Sequence, residues 1–96
     1  MLLLAIIAPP AMEENLVDWL LIQDEITGFT SQPAHGYGGR HQLSVAEQVS
    51  GRRRQIIFWV EVEKVKAMQI IDILKQDYAG AGLHYWLVPL AERGHI

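Results

Sequence analysis

The sequence predicts an α+β fold, a ferredoxin-like βαββαβ chain with two helices on one face of an antiparallel four-stranded sheet. Three observations predict it. Apolar runs suited to strands alternate with two segments of helical periodicity in the order β-α-β-β-α-β. Glycine and proline clusters punctuate the boundaries of those segments. The two crossover connections, if right-handed as such connections are, place both helices on the same side of the sheet.

Each element has its own justification. Leu2 to Ala8 is a continuous apolar run stopped by Pro9-Pro10, the pattern of a strand buried on both faces. It also invites comparison with a targeting segment. No Lys or Arg precedes it, and seven residues fall far short of the roughly 20 that span a bilayer, so the strand reading is preferred. Proline suits a helix start, where its missing N–H costs nothing, so a helix is expected from about Ala11 to Ile22. Its apolar stripe is Met12, Leu16, Val17, Leu20 and Leu21, with Trp19 at the core edge. Glu13 and Glu14 fall in its first turn, where negative charge complements the helix dipole.

Phe29 to about Gly36 reads as the second strand, and Pro33 marks it as an edge or bulged strand. A long connection follows. Within it Ser44-Val45-Ala46-Glu47 matches a capping box and predicts a short helical turn over 44–49. Arg52 to Glu63 is the third strand: Arg54, Ile56, Phe58, Val60 and Val62 alternate onto one face, Gln55, Ile57, Trp59, Glu61 and Glu63 onto the other. Lys64 to Tyr78 is the second helix, with Met68, Ile71, Leu74 and Tyr78 as its apolar stripe. Gly80 and Gly82 end it. Leu83 to Leu90 is the last strand, apolar on both faces, and Ala91 to Ile96 is a short tail.

At 96 residues the chain is the size of one domain, and 50% hydrophobic residues exclude wholesale disorder. Cysteine is absent, which removes disulfides and thiol chemistry and fits a cytoplasmic location. The net charge of −3 gives no general affinity for nucleic acid. Its distribution is uneven: Arg40, Arg52, Arg53 and Arg54 face Glu47 alone between Pro33 and Arg54. A basic, glycine-rooted loop on an acidic body is a candidate anion site, because glycine N–H groups converge on an anion and arginine adds a bidentate partner. The sheet supplies a second expectation. Helices cover one face, yet Ile57 and Trp59 of the third strand and residues of the first and fourth make the other apolar, so a homo-oligomer buried through the sheet is expected.

Several enzyme and binding classes lack their signatures. No nucleophile elbow is present. An acylphosphatase would carry an arginine loop where Ala8-Pro9-Pro10 stands. An RNA-recognition sheet would interleave aromatics on one face, whereas Phe58 and Trp59 are adjacent and point oppositely. The expectation is a non-catalytic protein. His35, His41 and His84 form an alternative constellation, a copper or zinc site assembled from three imidazoles without an HxH or HxxxH pair.

The element order, the Gly36-Tyr37-Gly38-Gly39-Arg40 turn, the long connection, the Gly80-Ala81-Gly82 turn and the strings GFTS, LSVAEQVSGRRRQ and AGAGLHYW resemble the PII-like superfamily, above all a small bacterial family of uncharacterised PII-like proteins. The resemblance covers nearly the whole chain. It implies a homotrimer with sheets facing inward and ligand sites between subunits, where signalling PII proteins bind adenine nucleotides. By position it implies ligand contacts from Gly36, Gly38, Gly39, Arg40, Gly80, Gly82 and His84, with Arg93 of the tail as a phosphate contact. It further implies a partner-facing segment that includes Gln42, Glu47, Arg52 and Arg53. Leu83 and His84 follow Gly82 where the signalling proteins carry a phosphate-binding lysine. The trimeric CutA-type proteins, linked to divalent-cation tolerance, share this architecture and keep the metal alternative open, as does a purely structural trimer that docks a protein partner.

Overall fold

A computed structural model describes residues 1–38 and 52–96. Chain order is β1 (Leu2–Ala8), a short 3-10 turn (Pro10–Met12), α1 (Glu13–Leu21), β2 (Phe29–Tyr37), β3 (Arg52–Val62), α2 (Lys64–Asp77) and β4 (His84–Pro89). The strands form one antiparallel sheet in the order β2-β3-β1-β4, which is the expected ferredoxin-like arrangement. The predicted turn over 44–49 lies outside the described residues.

The register explains the core. Leu4 pairs with Val60 and Leu87, and Ile6 with Phe58 and Tyr85, so these side chains share one face of the sheet. Both helices pack there: Leu16 and Leu20 of α1 and Ala67, Ile70, Ile71 and Leu74 of α2 join Leu4, Ile6, Ala8, Ile56, Phe58, Val60 and Val62 in a single cluster. Among the described residues the buried set contains no polar or charged side chain. Phe58 is fully buried, and Phe29 tilts against it with ring centroids 6.2 Å apart.

Local chemistry sets the helix starts and stops. Pro9 is extended, and its carbonyl accepts a 3.0 Å bond from the Met12 N–H, so the chain tightens into a 3-10 turn before α1 begins at Glu13. The helix therefore starts two residues later than its proline signal suggests. In α2 the first bond runs from the Ala67 N–H to the Glu63 carbonyl, and Lys75 stands in the last turn, where a cation complements the dipole. The Ala81 N–H then bonds the Tyr78 carbonyl, and Gly80 takes a φ of +79° that a side chain would resist.

Two stripe assignments need correction. Leu21 is largely exposed at 69%, because α1 ends there and its last turn overhangs the sheet. In α2, Met68 is half-exposed, while Ala67 and Ile70 are fully buried. The buried face runs 67, 70, 71, 74, which keeps Ile71 and Leu74 of the expected stripe and puts Ala67 and Ile70 where Met68 was expected. Trp19 packs against the core from its edge, as expected. β2 lies at an edge of the sheet, which is where Pro33 is tolerated. β4 lies at the other edge, so Tyr85, Trp86 and Val88 remain partly exposed despite their apolar character. No helix is long and apolar enough to cross a membrane, among the described residues.

Truncation of Phe58 tests the packing. Phe58→Ala removes a fully buried ring from the centre of the core and is expected to cost about 3–5 kcal/mol in a urea unfolding titration; a cost below about 1 kcal/mol would place the core elsewhere.

Candidate functional site

The antiparallel register gathers four chain ends at one end of the sheet. Ala8 at the end of β1 pairs with Ile56, Ile7 pairs with His84 at the start of β4, and Tyr37 at the end of β2 pairs with Arg52 at the start of β3. β2 and β3 continue past β1, so Arg52, Arg53 and Arg54 pair only with β2 and project beyond the central strand. Pro9 and Pro10 turn away in the space this leaves.

Arg53, Arg54, Gln55, Ala8, Pro9, Pro10 and Gly82 line a cavity of about 360 Å³ that is open to solvent on one side. The prolines contribute walls without N–H donors, which leaves the guanidinium groups, the Gln55 amide and the glycine backbone as the hydrogen-bonding groups. Gly36, Tyr37 and Gly38 meet Arg53 and Gln55 in a smaller hollow of about 50 Å³ on the β2 side. Arg53 and Gln55 therefore border both spaces. The residue assigned from sequence to a partner-facing segment stands between the two glycine turns.

The glycines differ in how strictly the backbone demands them. Gly38, Gly80 and Gly82 have φ values of +102°, +79° and +81°, a region that penalises any side chain. Gly36 has ordinary backbone angles, but a Cβ there would lie 2.7–2.9 Å from the end of the Gln55 side chain. Its absence lets the Gln55 amide lie across the β2 backbone.

The remaining expected ligand residues are dispersed. Gly38 follows β2 at one sheet edge and Gly82 precedes β4 at the other. Three strand spacings separate those edges, about 14 Å. His84 lies on the uncovered face, where it borders a cavity of about 390 Å³ with Gly36, Gln55, Ile57, Ile7 and Trp86. Arg93 is at the opposite end of the sheet, where its Nε donates a 2.6 Å bond to Glu61 Oε2. Gly39, Arg40, His41, Gln42 and Glu47 lie outside the described residues. His35 is exposed in register with Arg54 and borders the same cavity as His84. Among the described residues no three His, Cys, Asp or Glu side chains are grouped to hold a metal ion.

Sequence reasoning placed Arg54 in the basic candidate anion stretch but missed Gln55 and Pro9 as lining residues. Only the point at which β3 outruns β1 reveals them, and that is a matter of register.

Comparison with known proteins decides the chain's kinship. A family model described as a protein of unknown function (DUF3240) matches residues 1–96. The chain belongs to the DUF3240 family. A DUF3240 protein from Shewanella baltica OS155 superposes with a TM-score of 0.80 at 19% identity, over 99% of this chain and 94% of that one. A candidate PII-like signalling protein from Thermus thermophilus superposes with a TM-score of 0.61 at 22% identity, over 90% of this chain and 80% of that one. These likenesses show a shared PII-like fold. No functionally curated protein matches the sequence.

The two kinds of glycine give mutational signatures of different size. Gly82→Ala forces a side chain into positive φ and is expected to lower stability by about 1–2 kcal/mol. Gly36→Ala meets only the mobile end of Gln55 and is expected to cost less than about 0.5 kcal/mol. Equal losses in thermal unfolding would contradict this division.

Proposed function

We propose that this DUF3240 chain is a non-catalytic, PII-like regulatory protein that binds a small anionic ligand, with adenine nucleotides as the first candidates, and signals to a protein partner. One observation carries the reading: Arg52, Arg53 and Arg54 emerge at the same end of the sheet as the Gly36–Gly38 and Gly80–Gly82 turns, and Arg53 borders the cavities on both sides. Planar guanidinium groups suit phosphate and carboxylate oxygens, and glycine turns expose backbone N–H groups to them. The shared fold with a candidate signalling protein supports a regulatory role over an enzymatic one.

The mechanism follows from connectivity. Gly38 and Arg52 are the last and first described residues on either side of residues 39–51. In this reading a ligand held between these anchors acts on residues 39–51 through contacts at both flanks. Gln42, Glu47, Arg52 and Arg53 then meet the partner. The expected assembly is a homotrimer that covers the open sheet face, and the ligand clefts lie between its subunits.

Two measurements test this. In calorimetry with ATP, ADP, AMP and inorganic phosphate, Arg54→Glu is expected to weaken the preferred anion about tenfold; absence of heat with every nucleotide and anion would sink the proposal. In light scattering the chain is expected to be a trimer at micromolar concentration and Trp86→Glu, on the open face, a folded monomer. A monomeric parent chain would end the oligomer argument.

A further inference from the structure

On the helix side of the Gly80–Gly82 turn lies a separate cavity of about 330 Å³, away from the arginines. Its floor is Ile6, Ile71 and Leu74, its walls are Tyr78, the residue that caps α2, and Tyr85 of β4, and Leu83 closes one end. It exists because α2 stops short of covering the edge strand. Tyr85 is 44% exposed although its register partner Ile6 is fully buried. The rim is preformed: the Tyr78 N–H bonds the Leu74 carbonyl at 2.9 Å and the Ala81 N–H bonds the Tyr78 carbonyl at 3.1 Å.

Size and chemistry match a small-molecule site, which is mostly apolar with a few polar groups at its margin. The charged group lining it is a cation. Lys75 Nζ sits 5.7 Å from the centroid of the Tyr85 ring, so the ammonium is held over the cavity mouth by the aromatic face. His84 stands at the same rim.

We propose that this cavity binds an amphipathic monocarboxylate, its hydrocarbon part in the cavity and its carboxylate on Lys75. An apolar body satisfies the Ile6–Ile71–Leu74 floor, which offers no hydrogen bonds. A single negative charge satisfies the one ammonium on the rim, which has no carboxylate side chain among the cavity's lining residues. The site is independent of the arginine cavity, from which the glycine turn divides it; Gly82 lines both.

The test uses octanoate and its neutral counterpart 1-octanol, followed by amide chemical shifts of the full chain. Saturable shifts are expected around Tyr78, Leu83 and Tyr85 with both probes, and octanoate is expected to bind about fivefold more tightly, the scale of one partly exposed ion pair. Lys75→Glu, at an exposed position, should remove that preference without weakening 1-octanol, and Lys75→Arg should restore it. Leu83→Trp should fill the space and abolish both. Four results would overturn the proposal: no saturation at millimolar octanoate, equal affinity for both probes, shifts centred on Ile57 and Trp86 of the open face, or loss of binding as the chain itself is concentrated, which would make the occupant another copy.

Discussion

β1 is packed from both sides, and only one of those sides has helices. Leu4, Ile6 and Ala8 point into the helix-covered core, while Ala5 and Ile7 point the other way and are buried nonetheless. The register shows what covers them. Ala5 lies directly between Trp59 of β3 and Trp86 of β4, and Ile7 lies between Ile57 and His84. An alanine at this position leaves room for two indoles on its flanks. Trp59 is tied down in turn, since its Nε1–H donates a 2.7 Å bond to Gln32 Oε1 of β2. Trp86 remains 54% exposed. The chain thus carries a second, thinner apolar layer, closed by its own aromatic side chains and incomplete at the β4 edge. A face of this kind suits association, since each apolar side chain withdrawn from water there would contribute roughly 1.5–3 kcal/mol.

How much of this was legible depends on which interaction fixes each element. The alternation from Arg54 to Val62 read correctly because a strand's side-chain period is two and β3 is central, so packing enforces it on both faces. Helical stripes read less well. Ile71 and Leu74 sit in the buried face either way, and its margin falls between Met68 on one side and Ala67 and Ile70 on the other, all of them apolar, so the pattern alone does not choose; the sheet contact does. The start of α1 was displaced because Pro9-Pro10 specifies a turn as readily as a helix. At the site, glycines at positive φ announced themselves as turn residues, whereas Arg53 and Gln55 looked like strand or loop positions. Their place depends on β3 running four residues beyond Ile56, the partner of Ala8, which is a property of pairing rather than of composition.

The two ends of the sheet differ in electrostatic character. At the end far from the arginine cavity Glu61 is paired with Arg93, and Glu63 lies 3.6 Å from the Met1 ammonium. Both pairs are partly exposed, so each is worth at most about 1 kcal/mol. They matter more for where the charge goes. Gln55 and Glu61 are six residues apart on one strand, about 20 Å, which is more than twice the screening length at physiological salt. Arg93 therefore balances the acidic end and adds little field at the other. What an incoming anion meets at the β3 start is set by Arg52, Arg53, Arg54 and whatever residues 39–51 bring. The Tyr37–Arg52 pairing joins the two strand ends that flank residues 39–51, so the arginine charge sits at that junction. The arginines thus stand on paired strand ends, set apart from the buried cluster that holds the sheet to its helices.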